Sequence, residues 1–195
     1  QGGILDVVLA GGTFSRLVKI DVGRVHYDLI RYTGTAGTDA AVGYARIPAQ
    51  GELREGDRIA IVGAAGPMGL MHTVRTAVSG VPGISMDAVD VDDARLAHLA
   101  ELVAPIAAVN GVPASFRHSR TEPLDGGYSY VAAMVPAPFL IAQAVDISVE
   151  GAIRSTSGAG AAGAAVTAGA PVAVISAPAA AGAAVGAAAV VPAAG

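Results

Sequence analysis

Gly56-Asp57-Arg58-Ile59-Ala60-Ile61-Val62-Gly63-Ala64-Ala65-Gly66-Pro67-Met68-Gly69-Leu70-Met71-His72 reads as an apolar strand, a glycine turn and the opening of a helix in direct succession. A strand buried on both faces needs a short unbroken apolar run, and Ile59 to Val62 supplies one. The turn that follows has to let backbone approach an anion, so it needs residues without bulk. Gly63, Gly66 and Gly69 provide them. Pro67 suits the first helical turn, where its missing N–H leaves nothing unpaired. The helix then directs its free N–H groups and the positive end of its dipole at whatever the turn holds. That combination is a phosphate cradle. Its spacing, G-x-x-G-x-x-G, differs from the usual G-x-G-x-x-G because Ala64 stands where the first glycine would be. An ordinary Gly-rich strand-to-helix turn has the same composition, so the rest of the unit has to decide.

The second half of a dinucleotide fingerprint is an acidic residue about 20 residues further on, at the end of the next strand. Ile84 to Asp90 reads as that strand and Asp90 ends it. A carboxylate there accepts hydrogen bonds from ribose hydroxyls and repels a 2′-phosphate, which favours NAD over NADP. Asp92 and Asp93 lie close by and suit the cap of the next helix.

Working outward, strands and helices alternate. Upstream, Ile4 to Leu9 and Leu29 to Thr35 read as strands, and Asp39 to Arg46 as a short helix capped by Thr38 or Asp39. Downstream, Met68 to Ser79 is helical, with Leu70, Val74 and Ala77 expected to face a sheet. Asp93 to Asn110 is the next helix, with an apolar stripe of Leu96, Leu99, Ala100, Val103 and Ala107, a kink or early end expected at Pro105, and a stop at Asn110-Gly111. Ala114 to His118 is a third strand and Tyr128 to Val135 a fourth, separated by a polar loop over Arg117 to Gly127. Pro138 to Ser148 is a helix, and Gly151-Ala152-Ile153 opens a fifth strand. Such alternation predicts an α/β fold with a doubly wound, Rossmann-like parallel sheet, incomplete at its last strands, whose ligands bind at the carboxyl edge.

The organisation expected is a strand-rich segment over 1–50, a dinucleotide-binding domain over 51–154, and an Ala/Gly-rich low-complexity tail over 155–195. The last boundary is compositional. Every charged residue falls at or before Arg154. Pro171 to Val191 is long enough to cross a bilayer, but Pro178 and the small residues argue against a span. A slipped reading frame after Ile153 is one way to produce so abrupt a change.

The net charge of −4 and the lack of a basic block argue against nucleic acid as a partner. The absence of cysteine excludes disulfides and Cys-ligated zinc within these 195 residues and is compatible with a cytoplasmic protein. The start at Gln1, close to a strand, suggests a fragment, and no charged segment leads into an apolar signal region. The four histidines show no metal-ligand spacing. His26 and Tyr27 follow a strand and are the weak candidates for acid–base work on a carbonyl, a structural turn being the plainer reading. His72, in the first turns of the motif helix, is placed to approach phosphates or to pack.

Taken together, Val62-Gly63-Ala64-Ala65-Gly66-Pro67-Met68-Gly69 and Val89-Asp90-Val91-Asp92-Asp93-Ala94-Arg95-Leu96 resemble the nucleotide-binding half of the medium-chain alcohol dehydrogenase superfamily. Gly66 to His72, with Ile20 to Asp28 upstream, looks like its sorbose-phosphate reductase branch. The resemblance runs from about Gly2 to Ile153. It implies a cofactor held by Gly63, Gly66, Pro67, Met68, Gly69 and Asp90, with Arg95 over the adenine and Val135 and Pro136 beside the nicotinamide. It implies hydride transfer between NAD(P) and the CH–OH or C=O of a polyol or sugar-phosphate, and zinc, where used, held by a domain absent from this chain. It is compatible with a homo-oligomer. A non-catalytic nucleotide-binding or interaction module is the alternative. A methyltransferase is a further one, for which Met134 to Pro138 lacks the expected residues.

Overall fold

The computed structural model describes residues 2–12, 18–20, 30–45, 53–156, 164–166 and 174–176. In chain order the elements are β1 (Gly3–Val8), β2 (Val18–Ile20), β3 (Ile30–Thr35), α1 (Ala40–Ala45), β4 (Arg58–Val62), α2 (Pro67–Ala77), β5 (Ser85–Asp90), α3 (Asp93–Val109), β6 (Ala114–His118), β7 (Tyr128–Ala133), α4 (Pro138–Asp146), β8 (Ser148–Thr156), β9 (Ala164–Val166) and β10 (Val174–Ser176).

Six strands form one sheet in the order β10-β8-β7-β4-β5-β6, and every neighbouring pair is parallel. Parallel strands need crossovers, and the helices of those crossovers cover the sheet. Ile59, Ile61, Met86, Ala88, Tyr130, Ala132 and Ile153 point one way, into a core closed by Leu96, Leu99, Val103 and Ala107 of α3 and Ala77 of α2. Ala60, Val62, Val89, Val131 and Ala133 point the other way, beneath Leu140 and Ala144 of α4. The architecture is therefore a mostly parallel α/β sheet flanked by helices, compatible with the Rossmann-like expectation. Sequence order reverses between β4 and β7, the central pair.

Helix α2 is rotated from its expected face. Gly69, His72, Thr73, Thr76 and Ala77 are buried, whereas Leu70 and Val74 are only half-buried at the margin of the core. The cause is Gly69, which sits against the Gly63 carbonyl and Ala64 backbone with no space for a Cβ. Close approach brings the row of small residues onto the strand, and the Thr73 hydroxyl is satisfied by donating to the Gly69 carbonyl at 2.7 Å. Pro105 likewise does not end α3, which runs on to Val109. It lies on the exposed side, where water can take the carbonyl that has lost its donor. Asn110 and Gly111, the latter at φ 69°, form the stop.

The side of the sheet opposite α3 has a polar cover over β5 and β6. Asp87 receives hydrogen bonds from Ser115 and from the Tyr128 hydroxyl (2.6 Å), and pairs with Arg117 at 3.1 Å and Arg58 at 3.3 Å. Burial pushes the Asp87 carboxyl up, but these hydrogen bonds and charges outweigh it and hold it below the ordinary carboxylate range.

Upstream, β1 and β3 form a separate two-stranded parallel sheet, with α1 packed on both. Asp39 caps α1 by accepting from the Ala41 N–H at 2.9 Å. Strand β3 also lies against β10. The region read as a low-complexity tail contributes two short strands: β9, antiparallel to β2, and β10, parallel to β8. No helix among the described residues is long and apolar enough to cross a membrane.

Candidate functional site

The reversal of strand order opens a crevice at the carboxyl edge of the sheet, the place where open α/β sheets bind ligands. A cleft of about 810 Å³ lies there. Gly63 and Gly66 line its middle, Asp90, Arg95, Ser119 and Arg120 one end, and Val135, Phe139 and Gln143 the other.

The three glycines do three different things. Gly63 leaves β4 at φ 76°, in the left-handed region, with Val135 packed where a side chain would stand. Gly69 permits the contact between α2 and the turn. Gly66 is different: a Cβ there would meet only the Gly63 carbonyl, at an ordinary 3.5 Å. The protein therefore has room for a side chain at Gly66, which is one of the residues lining the cleft. Gly66 is also the N-cap of α2, which has no side-chain cap. Pro67 has no N–H, and the amides of Met68 and Gly69 precede the first helical acceptor. The Gly66 amide is turned to the Gly63 carbonyl at 3.2 Å, and that of Leu70 begins the helix by donating to the Gly66 carbonyl at 2.8 Å.

Asp90 ties the turn to the end of β5. Its Oδ2 accepts from the Ala65 N–H at 3.0 Å, and its Oδ1 from the N–H groups of Val91 (2.8 Å) and Asp92 (3.2 Å). The Gly63 and Ala64 amides both donate to the Val89 carbonyl. Asp90 is thus buried and already bonded, with an acceptor position left on Oδ2. Asp92 caps α3 through the Arg95 N–H at 3.0 Å and also accepts from Arg95 Nε at 2.9 Å. These two bonds, the backbone one foremost, hold the Asp92 carboxyl below its usual range.

Of the residues singled out in the sequence, Gly63, Gly66, Asp90, Arg95 and Val135 come together on the cleft wall. Pro67, Met68, Gly69 and Pro136 stand beside it without lining it. His72 is buried in α2 away from the lining, its imidazole pushed down to about 4 by burial and by Arg75. His26 and Tyr27 lie outside the described residues. Ser119, Arg120, Leu124, Phe139, Leu140 and Gln143 are among the further wall residues and lie outside the set that the sequence singles out. One signal pointed to Ser119 and Arg120: they directly follow a strand whose carboxyl end shares an edge with the glycine turn.

Among the described residues, no group of three or more His, Asp or Glu side chains is placed to hold a metal ion. No protein-family model matches the chain, and no curated protein matches it.

Proposed function

We propose that this chain is the dinucleotide-binding part of an NAD(P)-dependent oxidoreductase acting on the CH–OH or C=O of a small polyol or sugar derivative. The observation that carries the reading is the cleft itself. It runs from an acidic strand end, past an open glycine at an uncapped helix N-terminus, to an apolar wall on β7 and α4. Those are the three surfaces that a ribose, a pyrophosphate and a nicotinamide ring require in sequence. The residues are compatible with the group, because Gly66, a lining residue, leaves open space at an uncapped helix N-terminus.

In this reading the N–H groups at the start of α2, with the helix dipole behind them, hold the pyrophosphate. The free acceptor of Asp90 takes a ribose hydroxyl. Val135, Leu140 and Phe139 exclude water from the ring and fix which of its faces is presented. The nicotinamide, when bound, supplies the hydride chemistry. This reading assigns cofactor binding to the cleft, and that is the property a titration reads directly.

Calorimetric titration with NADH, NADPH and S-adenosylmethionine tests the proposal. Binding of a nicotinamide dinucleotide is expected. If neither binds, the reading fails, and binding of S-adenosylmethionine alone would replace it with a methyl-transfer site.

A further inference from the structure

The end of the cleft beside Asp90 has a different electrostatic character from what its sequence suggests. A free carboxylate at the end of β5 would turn away a phosphorylated ribose. Here the carboxylate is 7% exposed, accepts three backbone N–H bonds and has Arg95 Nη2 at 3.9 Å. Its oxygens are thus engaged by donors from within the fold.

The facing wall is built from the loop that leaves β6. Ser119 is fixed directly beside Asp90, because its N–H donates to the Asp90 carbonyl at 2.9 Å. His118 Nε2 lies 3.0 Å from the Val91 carbonyl, which fastens the same loop to the residue after Asp90. These ties set Arg120 on the cleft wall. The two cations at this end are not equivalent. Arg95 is committed to Asp92 at 2.9 Å, and Arg120 has no ion pair among the described residues. A positive charge with no ion pair among the described residues, next to a hydroxyl and a carboxylate whose oxygens are engaged by backbone donors, is an environment for an added phosphate.

Resting on the dinucleotide reading, we infer that the cleft selects the dinucleotide carrying a 2′-phosphate on its adenosine ribose, and that Arg120 is the residue that selects it. Ser119 provides a neutral hydrogen bond to the same group. Arg95 acts as the positioning residue that holds the α3 cap and faces Asp90.

The experiment compares the full chain and its Arg120→Ala and Arg120→Lys variants with four probes: NADPH, NADH, adenosine 2′,5′-bisphosphate and 5′-AMP. The wild type is expected to bind NADPH at least about tenfold more tightly than NADH, with a similar ratio for the two adenosine probes. Arg120→Ala is expected to bring both ratios close to one, and Arg120→Lys to leave an intermediate preference. The preference should weaken as salt is raised. Matching thermal melts exclude misfolding of this exposed-loop variant. A wild-type ratio at or below one, or a ratio unchanged in Arg120→Ala, overturns the inference while NADH binding keeps the dinucleotide reading intact. Failure of all four probes to bind removes both.

Discussion

Gly66 and Gly69 separate binding from folding at the level of single residues. A methyl group at Gly66 meets nothing closer than 3.5 Å in the protein, so Gly66→Ala should fold with a loss of at most about 1 kcal/mol at the N-cap. It should weaken dinucleotide binding by about a hundredfold or more, since the methyl occupies the approach to the helix N-terminus. Gly69→Ala should do the reverse. Its Cβ meets backbone of Gly63 and Ala64, which cannot swing aside, so a loss of about 2–4 kcal/mol is expected. Denaturant melts and dinucleotide titrations on the two variants check the pair. His72 gives a pH signature at the same scale. Its folded value of about 4 lies below the usual 6.5, so protons bind preferentially to the unfolded chain. This contribution to stability is intact above about pH 6.5 and is lost as pH falls toward 4, by on the order of 3 kcal/mol in full. His72→Gln should flatten that part of a stability profile measured from pH 7 to 4. The part of the site legible in the sequence was the part with a local signature. Gly63, Gly66 and Asp90 could be read because backbone chemistry demands those residue types at that spacing. Phe139 could not, and Arg120 offered only its position after a strand end, because their place on the cleft follows from neighbouring strand ends that only the sheet brings together.

At the level of elements, α2 illustrates why hydrophobic periodicity placed helices well and their faces less well. Eleven residues are helical within two positions of the expected ends, yet the buried row is the one set by Gly69, because contact with a tight turn outranks a modest apolar stripe. α3, with no such turn to meet, buries Leu96, Leu99, Val103 and Ala107 as its periodicity requires. The junction of α4 with β8 holds a less comfortable group. Arg154 is 1% exposed, donates to the carbonyls of Ala144 and Val145 and to Ser148 Oγ, and has a buried Nη1 with no hydrogen-bond partner among the described residues. Burial pushes the guanidinium down to about 9, partly offset by Asp146, so it remains charged at neutral pH. A buried cation whose direct hydrogen-bond acceptors among the described residues are all neutral is costly to keep. Arg154→Met should therefore leave stability unchanged or raise it by about 1–2 kcal/mol, whereas Arg154→Ala should lower it through the cavity it leaves. Thermal unfolding of the two variants decides. A clear loss in the methionine variant would mean that the helix-end hydrogen bonds outweigh the burial of charge.

Across the whole molecule, the sheet between β4 and β8 was legible because its strands carry either a short apolar run or alternating apolar residues, with turn residues between them, and the helices their own period. What lay beyond Ile153 was not. Ala, Gly and Val without charge carry no period, and β9 and β10 take their places from their partners β2 and β8 rather than from their own composition. The residues from Leu53 to Thr156 enclose both principal cores, so a chain ending at Thr156 is expected to keep one cooperative transition and to retain dinucleotide binding. Binding by the full chain but not by the shortened one would show that the last strands are needed to shape the cleft.

The seating of β10 between β8 and the neighbourhood of β3 bears on the order of events during synthesis. Strand β3 emerges from the ribosome well before the central sheet exists, and β10 emerges after all of its other strands. The flank where they meet can close only once the intervening chain has been made. The nascent protein thus carries an open parallel edge on β8 for the interval between the synthesis of β8 and that of β10, and that edge, rather than the cleft, is the surface a folding helper would have to shield.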